Sequence, residues 1–188
     1  MGKPVTEYKI AKALFRYGSD IILTDEAQKL KGFIQHGNTT VFEHCVSVAK
    51  FSLIIALGVE RIFKKDIDRR SLVRGALLHD YFLYDWHEKN AFHKLHGFTH
   101  PNTAYLNADR DFNLNDIEKD IIRKHMFPLT LIPPRHMESA IVCCADKWCA
   151  ICETFKIDIS SYLVDRVNTH YESARGEFTL RRKKSYEN

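Results

Sequence analysis

The run Arg74-Gly75-Ala76-Leu77-Leu78-His79-Asp80-Tyr81-Phe82-Leu83 sets an imidazole and a carboxylate at the end of a small, apolar, helix-spaced segment. An ionised carboxylate among apolar side chains is costly unless a cation or strong hydrogen-bond donors offset it. Ala76 and Leu77 lie one turn before Asp80, and its own helix face offers no cationic partner. The problem recurs at Asp146, which has Val142 and Cys143 before it and Cys149 and Ala150 after it. His44, His100 and His125 also fall near the buried side of helical patterns. A divalent metal answers both carboxylates at once, because neutral imidazole and ionised carboxylate are standard ligands for Zn, Mn, Fe and Ni. His44, His79, Asp80, His100, His125 and Asp146 are therefore the candidate metal ligands.

Outward from that run, apolar residues recur at three and four positions almost everywhere, and no sustained β-branched alternation appears, so the expected fold class is all-α. A first helix is expected over about Glu7 to Tyr17. A second, capped by Thr24, should run to about Gln35, where His36-Gly37-Asn38 breaks it. A third, from Thr40 to Leu57, turns Val41, Cys45, Val48 and Ala49 inward with His44 in the same stripe, and should stop at Gly58. The fourth spans Asp68 to Tyr81, with Gly75 and Ala76 allowing another helix to approach closely. Tyr84 to Thr99 reads as a loop over the site. His100-Pro101 should open the next helix in its first turn. Asn115 and Glu118 form a capping box for a helix ending near His125. A long helix from Arg135 to Phe155 carries Asp146. Beyond Ile157 one weak amphipathic helix precedes a charged end expected to lack structure.

At 188 residues the chain suits one domain with a full core. A net charge of +4, with Arg181-Arg182-Lys183-Lys184 clustered near the end, is too small to argue for a nucleic-acid polymer as partner. The same field suits a small phosphorylated molecule. Ten histidines are notable, since several occupy apolar faces. Of five cysteines, Cys143, Cys144, Cys149 and Cys152 crowd into one apolar helical segment with Cys45 apart. Cys149-Ala-Ile-Cys152 has the spacing of a redox or zinc pair but lacks a second pair, so buried core thiols in a reducing compartment are expected. No apolar stretch reaches the roughly 20 residues needed to span a bilayer, and the N-terminus shows no signal core. A cytoplasmic location without membrane attachment is the expectation.

In chain order the six candidates read as one His, a His-Asp pair, two further His and a final Asp. Val41-Phe-Glu-His44, Leu77-Leu-His79-Asp80-Tyr81, His100-Pro-Asn-Thr-Ala104 and Cys144-Ala-Asp146-Lys147 give that order its setting. The pattern resembles the HD superfamily of metal-dependent phosphohydrolases over about Thr40 to Phe155. The resemblance implies a single HD-domain helical bundle over residues 37–157. Residues 1–36 would then be N-terminal helices packed on it, and 158–188 a C-terminal helix and charged tail. It implies that His44, His79, Asp80 and Asp146 hold one metal, and that His100 and His125 hold a second bridged by Asp80. Consecutive helical residues point about 100° apart, so His79 and Asp80 can reach a shared cation from adjacent directions. His96, four residues before His100, is a competitor for its place.

A lone histidine on an apolar face is more often a packed core residue than a ligand. A purely structural network of two buried Asp and four His would need donors that the sequence does not evidently supply. Two divalent ions about 3.5–4 Å apart would supply hydroxide and polarise phosphoryl oxygens for in-line attack, with Asp80 at the catalytic centre. Fe, Mn, Co, Ni or Zn suit this donor set, and Mg suits it less. Lys147, Lys124, His36 and His87 are the candidate substrate-binding residues, Lys124 and Lys147 being alternatively solvated. Arg74 is a candidate to orient a ligand carboxylate, and Tyr81, Phe82, Tyr84 and Trp86 can stack on a base or pack in the core. The Ile-Gly-Lys continuation and Gly-Tyr-Pro signature of cyclic-dinucleotide phosphodiesterases are absent, and Leu83-Tyr84 departs from the stringent-response and deoxyguanosine triphosphatase branches. His79-Asp80-Tyr81 with the extra His pair looks more like small bacterial hydrolases of dinucleoside polyphosphates. A nucleotide-like substrate is the resulting expectation, with a homodimer admissible. Two rivals use the same features: a di-iron oxygenase such as myo-inositol oxygenase, and a non-catalytic metal-containing module that binds a ligand.

Overall fold

Two reciprocal capping boxes decide where two of the helices that carry candidate ligands begin. Thr40 Oγ1 accepts from the Glu43 N–H at 3.2 Å while Glu43 Oε2 accepts from the Thr40 N–H at 2.8 Å. Asn115 and Glu118 repeat the exchange at 2.9 and 3.0 Å. Each box satisfies two of the N–H groups that a helix start leaves open. The computed structural model describes residues 3–84, 96–159 and 161–186, the side chains of 3–6, 36, 96 and 176–186 excepted.

The described elements are α1 (Lys3–Ile22), α2 (Asp25–Gln28), a 3₁₀ turn (Lys29–Gly32), β1 (Ile34–His36), β2 (Thr39–Thr40), α3 (Val41–Phe63), α4 (Arg69–Leu78), α5 (His96–Asp111), α6 (Asp116–Lys124), α7 (Met137–Thr154) and α8 (Ser161–Tyr186). The chain is a helical bundle, as its periodicity predicts. α3 lies against α4 and α7, α4 against α1 and α6, and α6 against α5 and α7. Val41, Val48, Ala49, Leu72, Val73, Ala76, Leu78, Ile121, Ile122, Val142 and Ala145 are all buried where these helices meet. No helix among the described residues is long and apolar enough to cross a membrane. All five cysteines are free thiols; four are buried, whereas Cys144 is exposed instead of lying in the expected core.

Several boundaries differ from expectation. The second helix ends at Gln28, passes through the 3₁₀ turn and gives way to a small antiparallel hairpin, β1 with β2. Gly37 turns that hairpin at φ 58°, a conformation favouring glycine. α3 continues through Gly58 and ends at Lys64, which has φ 51°. A helical glycine costs about 1 kcal/mol, too little to end a helix whose next turn is anchored by the Glu60–Arg69 ion pair at 2.5 Å. α5 begins at His96, so Pro101 lies inside it rather than in the first turn. There the ring removes a single backbone bond of the helix. α8 extends through the charged end to Tyr186, where no structure was expected; Leu163, Val164, Val167 and Tyr171 form its buried stripe, and Tyr171 Oη donates to Asp25 at 2.6 Å.

α4 and α6 approach at Gly75 as the small residues there predict. A Cβ on Gly75 would sit 2.5 Å from Ile121 Cδ1 and 2.9 Å from its Cγ2. Ile121 is fully buried, so it cannot yield without moving α6. Gly75→Ala should therefore destabilise the chain by about 1–3 kcal/mol through overpacking, measured by urea unfolding. An unchanged midpoint would show that the contact is not tight.

Candidate metal centre

Five helices or their ends converge on one buried point. His44 stands in the first turn of α3, His79 caps the C-terminus of α4, and Asp80 follows it. His100 comes from α5, His125 caps α6, and Asp146 lies within α7. Exposure is 0% for His44 and His79, 1% for Asp80 and His125, 4% for His100 and 9% for Asp146, so water cannot solvate these groups. Ligand-type atoms of His44, His79 and Asp146 lie within 4.8 Å of one another, and those of Asp80, His100 and His125 form a second such group. All six sequence-derived candidates are thus brought together.

Asp80 stands between the two groups. Its Oδ2 is 3.5 Å from His79 Nε2 and 3.8 Å from His44 Nε2. Its Oδ1 is 3.2 Å from His100 Nε2 and 3.4 Å from His125 Nε2. Asp146 Oδ1 faces His44 Nε2 at 3.1 Å and His79 Nε2 at 3.7 Å. His100 Nε2 and His125 Nε2 are 2.8 Å apart.

The local fold chooses which ring nitrogen faces the centre. His79 Nδ1 lies 2.8 Å from Ala76 O, and His125 Nδ1 lies 2.8 Å from Ile122 O. A carbonyl only accepts, so each Nδ1 is a donor and each Nε2 is the nitrogen turned inward. His44 Nδ1 is held by Glu153 Oε2 at 2.8 Å, with its Nε2 again inward. Among the described residues, His79 Nε2 and Asp80 Oδ1 are buried without a well-formed hydrogen bond, only imidazole nitrogens 3.2 and 3.4 Å away facing Oδ1. Such orphans cost about 1–3 kcal/mol each, more for a charged group. A cation coordinated by both would satisfy them, so the donor set fits a metal with the preferences of Fe, Mn, Co, Ni or Zn.

The electrostatics are those of a charge cluster. Burial alone would lower the His44 pKa, but its hydrogen bonds to the Asp146 and Glu153 carboxylates outweigh it and raise the value to about 10. His79 is also raised, burial being outweighed by the Asp80 charge and by Cys45 and Asp146. Burial opposes the charged forms of Asp80 and Asp146, yet the surrounding imidazoles hold both carboxyls well below the usual range. Burial pushes the His125 pKa down, against the pull of the Asp80 carboxylate.

Sequence reasoning missed two close neighbours. Gln35, on β1, donates from Nε2 to Asp80 Oδ2 at 2.6 Å. The helical pattern reaches Gln35, whereas Gly37-Asn38 just after it is the turn of the hairpin that delivers this residue. Glu153 was detectable, because it follows Asp146 by two helical turns and shares its face.

Other candidates are engaged elsewhere. Lys147 Nζ donates to His125 O at 2.8 Å and to Cys143 O at 3.4 Å, tying α7 to the end of α6. Lys124 pairs with Asp120 at 2.5 Å. Neighbouring positions on a helix point in different directions, which is why the lysines beside Asp146 and His125 do other work. Arg74 orients Glu118 at 2.6 Å and also pairs with Asp20, so the carboxylates it holds belong to neither metal group. Tyr81 and Phe82 are core residues, the Tyr81 hydroxyl donating to Asp111 at 3.0 Å. Tyr84 is half-buried, and burial with the nearby Asp80 charge raises its pKa. His87, Trp86 and the side chains of His36 and His96 lie outside the described residues.

The family model for the HD domain matches residues 41–151, more than half of the chain. No curated protein and no solved structure matches it.

The raised His44 value sets a pH prediction for protein stripped of metal by a chelator. A folded pKa of about 10 against an ordinary 6.5 means that this contribution is complete below 6.5 and is lost as pH rises through about 10. The depressed Asp80 and Asp146 act oppositely, their contribution being lost on acidification. The denaturation midpoint of chelated protein should therefore fall across the alkaline range. Added Co²⁺ or Zn²⁺ should flatten that fall by replacing the proton as the balancing charge. A midpoint independent of alkaline pH without metal would contradict the charge cluster.

Proposed function

The chain belongs to the HD-domain family, and on that premise we propose that it is a metal-dependent phosphohydrolase acting on a phosphate ester or anhydride of a small, nucleotide-like molecule. In this reading His44, His79, Asp80 and Asp146 hold one divalent ion, and His100, His125 and Asp80 hold a second. The observation that carries it is the Asp80 carboxylate set between the two groups, one oxygen toward each. Ions held there would lower the pKa of a bound water and polarise phosphoryl oxygens for in-line attack.

The chain's own residues support that chemistry in distinct ways. The Ala76 and Ile122 carbonyls keep the His79 and His125 rings in a ligating tautomer. Gln35 Nε2 holds Asp80 Oδ2 and so fixes the plane of the shared carboxylate. Lys124 and Lys147 are committed to Asp120 and to the His125 carbonyl. His36 and His87 remain the substrate-side candidates. The reading further places the protein in the cytoplasm, with a small phosphorylated partner rather than a nucleic-acid polymer or membrane, as a monomer or homodimer.

Elemental analysis of the protein as purified, followed by hydrolysis assays with nucleotides, dinucleoside polyphosphates and sugar phosphates under each metal, tests the reading. Bound transition metal and release of phosphate or nucleotide are expected. Dioxygen consumption with an organic substrate would replace it with an oxygenase, and tight nucleotide binding without turnover would replace it with a binding module. Asp80→Ala should lose both metal and turnover; retention of both would remove Asp80 from the mechanism.

A further inference from the structure

Three of the candidate ligand histidines have a visible hydrogen bond behind the ring, and one of these differs from the others. His79 and His125 lean on neutral backbone carbonyls three residues earlier in their own helices. His44 instead leans on an acid from another helix, Glu153 Oε2, at 2.8 Å. Both side chains are withdrawn from water, at 0% and 3% exposure. The same helix places Asp146 Oδ1 3.1 Å from the other nitrogen of the ring, so α7 grips His44 from both sides. We infer that Glu153 is a positioning residue of the metal centre, holding the His44 imidazole by its Nδ1–H so that Nε2 is presented to the ion. The inference rests on the metal-centre reading above and adds a residue that does not itself ligate.

The physical argument has two parts. A ring with free χ2 rotation presents Nε2 in one direction only when Nδ1–H has a fixed acceptor, and Glu153 is fixed by its place in the last turn of α7. An anionic acceptor also makes the imidazole a stronger donor to a cation than a carbonyl does, and it adds a negative charge a few ångströms from the ion in a medium of low dielectric. The other Glu153 oxygen, Oε1, is buried and has no hydrogen-bond partner among the described residues. A carboxylate kept out of water with one oxygen unpaired among the described residues is difficult to explain as packing.

Co²⁺ titration of the full chain, followed by visible absorption, tests this with Glu153→Ala and Glu153→Gln. Glu153→Ala should weaken one class of Co²⁺ site by about 10–100-fold and alter its absorption band, leaving the Asp80, His100 and His125 site in place. Glu153→Gln keeps an acceptor for Nδ1–H but no charge, so it should restore the band and only part of the affinity. Wild-type affinity and spectrum in Glu153→Ala would overturn the inference, as would equal loss of both sites in step with a lowered melting temperature. If the alanine variant does not fold, the near-isosteric glutamine variant decides, and wild-type affinity there would overturn it. A wild-type chain that takes up no Co²⁺ would instead sink the metal-centre reading, and this inference with it.

Discussion

A carboxylate that water cannot reach, ringed by imidazoles, is the constraint around which this bundle is arranged. Asp80 is 1% exposed, and its two oxygens face four histidines on four different helices or helix ends. The charge must be answered locally, because an ion removed from water loses several kcal/mol of solvation. That requirement ties helix termination to chemistry. α4 and α6 both end at a histidine whose Nδ1 turns back to a carbonyl of its own last turn. One bond thereby satisfies an open carbonyl at the helix end and points Nε2 inward.

The charged residues beside the centre mainly hold the scaffold that aims it. Asp68 caps α4 and accepts from Ser71 Oγ, which in turn accepts from Asn115, the cap of α6. Arg74 bonds Glu118, the other half of the α6 capping box. The starts of α4 and α6 are therefore one network, and Gly75 lets the two helices close upon it. Asp120 gathers the Arg135 and His136 N–H groups and Ser139 Oγ at the start of α7. Lys147 then ties α7 to the His125 carbonyl. A shift in any of these would move Asp146 or His125, since close-packed interiors transmit displacement.

Legibility in the sequence followed the locality of the signal. The capping box at Asn115 and Glu118, the small residues at Gly75 and Ala76, and the stripe of α3 through His44 depend on neighbours within a turn or two, and the structure bears them out. The continuation of α3 past Gly58 and of α8 to Tyr186 was not legible. There the local penalty is small, and contacts with Arg69 and Asp25 from other elements add to the helices. Lys124 and Lys147 adjoin ligand candidates in sequence yet turn to Asp120 and the His125 carbonyl, because a helix rotates direction by about 100° per residue.

The sequence by itself determined that this is an all-α chain with two acids and four imidazoles needing a common partner, because helical periodicity and the cost of a buried charge are both readable residue by residue. It was also enough for the resemblance that the family match over residues 41–151 supports. Only the tertiary structure decided that Asp80 lies between two groups, that Gln35 reaches it from a hairpin, and that Glu153 stands behind His44. Those pairings join residues 45 and 109 positions apart in the Gln35–Asp80 and His44–Glu153 bonds. No local pattern encodes such distances; they exist only once the helices have packed.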